Sequence, residues 1–428
     1  MRKSIVLLFF LFFMSLFFYL PTNQEIIKID CGENILVNDV KISRNKSDKV
    51  YLANDLITNT LDDNSNDNVI HIVKSGIYEF SGELKGQIFI DLGRESEYDK
   101  NSKVTLILND INITCDKAPC IVFYNVYESN SIEDFGANII IKDGTVNNLS
   151  GGFVTPIMRP YNLKLENDNL FLNDKYYKYD GTIHSKMSLR IIGENNNGVL
   201  NINAKNEGIS SEYHLLLDGV NANIVSDNDS INGSKDNISI INIKNSNLDV
   251  LVIGDKTGDG IDSNGSLFIE DSYIKAQGCE LSEDVGIDAV NELSIMNSQI
   301  ISFGNMTDGA NKINQPYLIF NFARNMLPGK YILRSENGED YIFEADNKFL
   351  CLFIVDGVPA GKYTLWYENI QLKVKESDYI QGINQDCLVN GKIIDFGEVI
   401  GDSENRPNVD YTYDLHIKEG SNYFNFVR

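Results

Sequence analysis

Acidic side chains recur beside a repeating isoleucine, and their spacing suggests metal chemistry. Carboxylates stacked one repeat apart repel each other unless a cation neutralises them, and calcium, bound by several oxygens, is the usual cation outside cells. The alternative is that Asp and Asn occur there because they favour turns. The acidic residues at this turn are Asp180, Glu207, Asp229, Asp259, Asp262, Asp284, Asp288 and Asp308. We predict calcium as cofactor, with ligands drawn from Asp180, Glu207, Asp259, Asp262, Asp284, Asp288 and Asp308. Four of these should lie close together at one turn: Asp259, Asp262, Asp284 and Asp288.

Residues for nucleophilic hydrolysis are sparse. Of the 4 histidines, His184 and His214 lie next to repeat strands and are predicted to be surface residues. No Ser/His/Asp arrangement or G-x-S-x-G motif is present, so we assign no catalytic residue. Paired-carboxylate glycosidase chemistry stays open, because acidic residues are plentiful. A calcium-assisted β-elimination would need a basic residue near the metal. The basic residues of the repeat zone, each more typical of a solvated surface, are Lys186, Arg190, Lys205 and Lys275.

Aromatic rings offer a second kind of site, because flat rings stack on the apolar faces of sugars. Candidates are Tyr213, Tyr273, Phe303 and the tyrosine-rich insertion at residues 161–179. Such rings also cover the side of a repeat structure, so the carbohydrate-binding residues stay unassigned.

These residues must be positioned by a sequence repeat, whose period is about 26 residues. An apolar pair recurs in five units: Leu189/Ile191, Leu215/Leu217, Ile241/Ile243, Leu267/Ile269 and Leu293/Ile295. An isoleucine precedes each pair, with the middle one displaced by a short insertion: Ile183, Ile209, Ile231, Ile261 and Ile287. A small residue two positions later should form an inward column: Ser185, Ser211, Ser263 and Ala289. Apolar residues alternate with polar ones at the period of a strand, and no helical period is sustained.

The repeat predicts an all-β protein whose central part is a right-handed, single-stranded parallel β-helix with about 26 residues per coil. We predict a signal peptide or N-terminal anchor at 1–22 and an N-terminal cap or linker, polar and irregular, at 23–69. We expect the parallel β-helix to occupy 70–310 and a C-terminal antiparallel β cap or domain to occupy 311–428.

Composition limits the partners. The formal net charge of −24 argues against nucleic acid, which needs clustered Lys and Arg, and is compatible with metal cations, basic partners or neutral sugars. Met1-Arg2-Lys3 and the apolar run to Leu20 predict a secreted or cell-surface protein. We expect no membrane span unless this segment is retained as an anchor. We also expect the protein to be a monomer. The 6 cysteines are either buried thiols or disulfides, with Cys115 and Cys120 close enough to bridge a loop.

The chain resembles the secreted carbohydrate-binding domain-containing β-helix family, whose fold is related to pectate lyases. The resemblance covers roughly residues 70–370 and is carried by "SGIYEFSGELKGQIFID", "VTLILNDINIT", "IIIKDGTVNNLS", "DGTIHSKMSLRIIG" and the "DGID…VGID" ladder. It implies a right-handed parallel β-helix that binds calcium and acidic or cellulosic plant polysaccharides, without an established catalytic set. The family's D-G-I element falls on Asp180-Gly181, Asp259-Gly260-Ile261 and Asp308-Gly309. The chain departs from it at Glu207-Gly208-Ile209, Asp229-Ser230-Ile231 and Val285-Gly286-Ile287.

Three functions follow. The first is an exported, calcium-containing β-helix protein that binds polysaccharide without cleaving it. The second is a calcium-dependent, pectate-type polysaccharide lyase on the same scaffold. The third is a structural or adhesive surface protein. The absence of a recognisable catalytic set favours a binding protein over an enzyme.

Overall fold

Parallel β-strands dominate the computed structural model of the chain. It describes residues 25–54, 68–152, 163–166, 169–172, 179–254, 256–307, 312–377, 388–389, 392–393 and 411–427. The predicted signal segment, Asp308 and Cys387 lie outside the described residues. Among those residues the fold is all-β with a large parallel sheet, and no helix in them is long and apolar enough to cross a bilayer.

The strands of the large sheet form three stacks, because each segment of the chain pairs in parallel with the equivalent segment before and after it. Stack A contains β1 (Ile26–Cys31), the first part of β6 (Gly76–Asp91), the first part of β7 (Val104–Cys115), β9 (Ala137–Ile141), β14 (Leu189–Gly193), β17 (Leu215–Asp218), β20 (Ile240–Lys244), β23 (Ser266–Glu270), β26 (Glu292–Met296) and β28 (Lys312–Ile313). Stack B contains the last part of β7, β10 (Val146–Gly151), β15 (Val199–Ala204), β18 (Asn221–Ser226), β21 (Asn247–Val252), β24 (Tyr273–Gln277) and β27 (Gln299–Gly304). Stack C contains β5 (Asn68–Ile72), the last part of β6, β8 (Ile121–Asn125), β13 (Gly181–Ser185), β16 (Glu207–Ser211), β19 (Ile231–Gly233), β22 (Ile261–Ser263) and β25 (Ile287–Ala289).

The predicted apolar column is confirmed in stack A. Leu189 pairs with Leu215, the equivalent residue of the next unit, and the pairing continues in the same register through Ile241 and Leu267 to Leu293. All five side chains are buried, with at most 4% of any one exposed. The chain keeps this register because the period-two alternation places one apolar set on the inner face of every strand.

The isoleucine and small-residue columns are confirmed in stack C. Ile231 pairs with both Ile209 and Ile261, so the displaced unit keeps its place in the stack. Ser211 pairs with Gly233, which in turn pairs with Ser263. The irregular unit therefore changes the length of its turns and not the register of its strand.

Truncation of one side chain in the apolar column should destabilise the protein. We expect Leu215→Ala to lower the free energy of unfolding by about 2–5 kcal/mol, because its fully buried side chain leaves a cavity among packed neighbours. Leu216→Ala is the matched control, since this neighbour on β17 faces outward and is half-buried. Denaturant unfolding of both variants tests the column, and equal losses would contradict it.

Strands also occupy the N-terminal segment that the sequence indicates to be irregular. β1 pairs in parallel with β6, while β2 (Leu36–Val37), β3 (Val40–Lys41) and β4 (Val50–Ala53) pair antiparallel with β1, β2 and β5 respectively. The prediction that this whole segment is irregular is therefore wrong for these residues. A 3-10 helix, Arg94–Tyr98, lies between β6 and β7.

Beyond β28 the strands are mostly antiparallel, as the sequence predicts. Their bounds are β29 (Tyr317–Met326), β30 (Gly329–Ser335), β31 (Asp340–Ala345), β32 (Phe349–Val355), β33 (Gly361–Tyr367), β34 (Ile370–Gln371), β35 (Glu376–Ser377), β36 (Leu388–Val389), β37 (Lys392–Ile393), β38 (Asp414–Ile417) and β39 (Ser421–Val427). β32 pairs antiparallel with both β27 and β29, which joins this region to stack B. A second sheet follows the order β31-β30-β33-β34, with β38 beside β33. Both sheets share a separate aromatic-rich core.

The insertion between β10 and β13 is only partly described. Its two strands, β11 (Leu163–Glu166) and β12 (Asn169–Leu172), pair antiparallel with each other. Tyr179, at the end of the insertion, is buried. The five cysteines among the described residues, Cys31, Cys115, Cys120, Cys279 and Cys351, are buried free thiols.

Candidate metal centre

Two acidic columns flank the isoleucines of stack C. One column stands two residues before the isoleucine and consists of Glu207, Asp229 and Asp259. The backbone N–H of Gly208 donates to the carbonyl oxygen of Asp229, and the backbone N–H of Ser230 donates to the carbonyl oxygen of Asp259. The other column stands one residue after the isoleucine, where Asn232 pairs with Asp262 and Asp262 with Asp288. The parallel register therefore gathers carboxylates from turns that are far apart in the sequence.

Three of these carboxylates form a compact oxygen cluster. One oxygen each of Asp229, Asp259 and Asp262 lies within 4.8 Å of the others, and all three residues are half-buried. The backbone N–H of Asp259 donates to Asp229 Oδ1 at 2.8 Å, and that of Val285 donates to Asp259 Oδ1 at 2.6 Å. These bonds restrain the orientation of the Asp229 and Asp259 carboxylates.

Glu207 extends the cluster into the interior. Only 4% of the residue is exposed, and Asn232 Nδ2 donates to Glu207 Oε1 at 3.0 Å and to Asp229 Oδ2 at 3.2 Å. The other carboxyl oxygen, Glu207 Oε2, is buried and accepts no hydrogen bond. A buried carboxyl oxygen without a donor is costly unless a proton or a cation neutralises it.

The electrostatics of the cluster are those of an uncompensated negative charge. Burial and the neighbouring Asp262 raise the pKa of Asp229 from its ordinary 3.8 to about 7. Burial and Asp284 raise the pKa of Asp262 from 3.8 to about 6. Burial first, and then neighbouring carboxylates, raise the pKa of Asp259 and of Glu207 well above their ordinary values. The charges that raise these pKa values are all carboxylates.

Without a divalent cation, stability should depend on pH in the direction opposite to ordinary acid denaturation. The pKa values of Asp229 and Asp262 are about 7 and about 6 in the folded state, against 3.8 for an exposed aspartate. Their contribution to stability is present below the unfolded pKa and is lost as the pH rises through the folded values. We therefore expect the Tm in chelator to fall by several degrees between about pH 4.5 and about pH 7.5. A Tm that is flat or rising over this range, measured by circular dichroism, would contradict these raised pKa values.

The structure does not bring all the predicted ligands equally close. Asp284 lies near enough to raise the pKa of Asp262, but its carboxylate is engaged by the hydroxyls of Ser282 and Thr257 and by the Gly258 N–H at 2.5 Å. Asp288 stands next to Asp262 in the strand register. Asp180 is buried on the Glu207 side of the cluster, and its charge raises the pKa of Glu207. Asp229, which the predicted ligand set omits, is a central member of the cluster.

The prediction that His184 and His214 lie on the surface is wrong. His184 is 1% exposed, its ring packs edge-on against Tyr179, and burial lowers its pKa to about 3. Its Nδ1 lies 3.6 Å from Asp180 Oδ1. His214 is also buried, and its Nδ1 accepts the backbone N–H of Ile240 at 3.2 Å. Both positions face outward in the strand pattern, and alternation alone does not show that another layer covers them.

The basic and aromatic candidates occupy several environments. Lys186 Nζ lies 2.9 Å from Glu97 Oε1 and 4.8 Å from the centroid of the Tyr124 ring. Arg190 Nε donates to Asn138 Oδ1 at 2.8 Å, and Lys275 pairs with Asp346 at 2.7 Å. Lys205 is exposed.

Of the aromatic candidates, Tyr273 is exposed and Tyr213 is half-buried. Phe303 is not a surface residue, because it packs against Phe349 in the C-terminal core.

The cluster fits a divalent cation of the calcium type. Its donors are all oxygens, they converge within 4.8 Å, and they belong to carboxylates whose charge the described protein does not balance. Calcium takes six to eight oxygen ligands, so Asp229, Asp259 and Asp262 would hold it, with water or sugar hydroxyls completing the shell. Glu207 and Asn232 would support them from the interior side.

Comparison with known proteins places the chain in a family. The carbohydrate-binding domain-containing protein family matches residues 66–315, more than half of the 428-residue chain. No curated protein matches. A solved structure, that of the polysaccharide lyase-like protein from C. thermocellum in a gadolinium derivative, is similar to 64% of this chain over 94% of its own length, with 20% identity and a TM-score of 0.41. The matched residues include the carboxylate cluster and every strand of the three stacks except β1, and the chain belongs to the carbohydrate-binding domain-containing protein family.

Proposed function

We propose that the protein is an exported, calcium-containing, right-handed parallel β-helix that binds polysaccharide without cleaving it. In this proposal each coil has about 26 residues and the C-terminal strands cap one end. The observation that carries it is the carboxylate cluster of Asp229, Asp259 and Asp262 in a member of a carbohydrate-binding family. The apolar run at the N-terminus of the sequence supports export, and outside the cell calcium is abundant enough to fill a site of modest affinity.

The chemistry of the cluster suits an acidic polysaccharide. When bound, calcium supplies a positive charge and open coordination positions that a sugar carboxylate or hydroxyl occupies. Asp229, Asp259 and Asp262 are half-buried, and in this proposal the ligand approaches the cluster from its exposed side. Neighbouring strands are about 4.8 Å apart, so an extended glycan lying along the stack would meet equivalent positions repeatedly.

Binding without cleavage is supported by the surroundings of the candidate bases. A β-elimination needs a free basic group directed at a metal-bound sugar. Lys186, Arg190 and Lys275 are each engaged with another side chain, namely Glu97, Asn138 and Asp346. Burial lowers the pKa of His184 to about 3, which makes its imidazole a weak base. Of the four lysine and arginine candidates, Lys205 is exposed, whereas the other three are held by these partners.

Retention on a panel of insoluble acidic and neutral polysaccharides, with calcium and with chelator, tests this function. We expect retention on the acidic polymers that falls about tenfold in chelator, and affinity that rises with chain length because several weak subsites engage together. The absorbance of unsaturated sugars should stay at baseline. Steady release of unsaturated products, lost in Lys186→Ala or Arg190→Ala, would replace binding by a lyase activity.

A further inference from the structure

Four asparagines form a hydrogen-bonded ladder on the outward face of stack B. Asn148 Nδ2 donates to Asn112 Oδ1 at 2.6 Å, Asn201 Nδ2 to Asn148 Oδ1 at 2.8 Å, and Asn223 Nδ2 to Asn201 Oδ1 at 2.8 Å. The strand registers align these residues directly above one another. Asn112, Asn148 and Asn223 are exposed and Asn201 is half-buried. The ladder is therefore an ordered row of amides on the protein surface.

The ladder leaves hydrogen-bonding capacity directed at solvent. An asparagine amide carries two N–H donors and an oxygen with two lone pairs. Asn148 and Asn201 each use one N–H donor and one oxygen lone pair within the ladder. Each therefore keeps one N–H donor and one lone pair for a ligand. Because the amides hold one another, little side-chain entropy remains to be lost on binding. A ligand rich in hydroxyl groups, which also donate and accept, matches this pattern.

The ladder is uncharged, although the chain as a whole carries a large net negative charge. The net charge of the chain is −24, yet four consecutive positions of this column carry neutral amides. Charged residues begin only beyond its ends, with Glu83 aligned with Asn112 and Asp249 aligned with Asn223. A charged ligand would find no counter-charge on the ladder itself. The chemistry therefore favours a neutral ligand over an acidic one.

Apolar groups lie beside the ladder. The adjacent outward column pairs Val146 with Val199 and continues through Asn221 and Asn247 to Tyr273. Tyr273 lies two strands beyond Asn223, the last asparagine of the ladder. Val146 and Val199 are the apolar residues that stand beside Asn148 and Asn201, and Val146 is 48% exposed while Val199 is half-buried. Sugars present both hydroxyl edges and apolar C–H faces, so a polymer with its hydroxyls on the ladder can place C–H groups against these side chains.

We propose that this asparagine ladder is a binding surface for an extended, neutral polysaccharide. The inference rests on the proposed polysaccharide-binding function and assigns it a second face, on a different stack from the carboxylate cluster. Four positions at about 4.8 Å spacing cover about 14 Å. Affinity should therefore rise with oligosaccharide length until this span is filled and then level off. It should also be insensitive to salt, because no charges are paired.

Affinity electrophoresis in hydroxyethylcellulose, a soluble neutral glucan, tests the proposal. In the double variant Asn148→Thr/Asn201→Thr we expect affinity to fall at least tenfold, because both central amides are lost while threonine suits a strand. The matched control is Asn101→Thr/Asn291→Thr, which removes two exposed asparagines away from the ladder and should leave affinity unchanged. Affinity of the ladder variant within twofold of the wild type would overturn the proposal.

Footprinting of the wild-type protein covers the case in which the ladder variant does not fold. Hydroxyl-radical labelling with and without hydroxyethylcellulose should show protection of Val146 and Val199, which stand beside the ladder. Binding without protection at these residues would also overturn the proposal.

Binding of polygalacturonate, measured alongside, separates the two functions. A wild-type protein that binds acidic polymer in calcium but binds no neutral glucan refutes the ladder proposal alone. A wild-type protein that binds neither refutes both.

Discussion

Removal of calcium should lower the thermal stability of the wild-type protein by the largest amount of any solution change at neutral pH. A ligand that binds only the folded state stabilises it by about 4 kcal/mol when its free concentration is 1,000 times its Kd. In chelator that contribution disappears and the half-buried carboxylates of Asp229, Asp259 and Asp262 repel one another. We expect the Tm in excess chelator to lie several degrees below the Tm in millimolar calcium.

Differential scanning calorimetry measures this difference directly. Restored calcium should recover the original Tm, whereas an equal concentration of magnesium should recover it only in part, because magnesium demands smaller and more regular coordination. An unchanged Tm in chelator would remove the argument for a structural calcium, whatever the protein binds elsewhere.

Replacement of two aspartates of the cluster by asparagine should abolish the fall in Tm that chelator causes. In Asp229→Asn/Asp259→Asn the remaining amide oxygens still accept the backbone N–H groups of Asp259 and Val285, so the local hydrogen bonds survive. Two buried like charges disappear, so in chelator we expect the Tm of the variant to equal or exceed that of the wild type. In calcium the variant should gain almost nothing, because two of three ligands have lost their charge.

The matched control is Asp143→Asn/Asp236→Asn, which removes two exposed carboxylates elsewhere and leaves the same net charge. This control should respond to calcium as the wild type does. If the cluster variant also responded fully to calcium, the ion would have to bind elsewhere. If it were less stable than the wild type in chelator, the repulsion argument would fail.

The stacking of the repeats was predictable from sequence because it depends only on the inner, apolar face of each strand. Apolar residues at alternate positions define the inner face, so the columns through Leu215 and Ile209 follow from spacing alone. The omission of Asp229 from the predicted ligand set has a related cause. Ile231 pairs with both Ile209 and Ile261, although it lies nearer in sequence to Ile209 than to Ile261. Spacing placed Asp229 at this turn, but only the strand register shows that its carboxylate lies among those of Asp259 and Asp262.

The outer faces were harder to predict because their burial depends on segments far away in sequence. His184 faces outward from β13 yet is buried beside Tyr179, and Phe303 is covered by Phe349 of the C-terminal region. β1 also escapes detection, because one short strand contains no repeat of its own and is fixed by pairing with β6. The asparagine ladder was likewise visible only as abundant asparagine until the register aligned it.

The central claim is that a cation lies among Asp229, Asp259 and Asp262, and anomalous X-ray scattering from crystals equilibrated with calcium locates such an ion most directly. We expect one anomalous peak within coordination distance of these three carboxylates, and we expect it to be lost in crystals of Asp229→Asn/Asp259→Asn. Ordered carboxylates with no peak between them, at a pH above their raised pKa values, would contradict it.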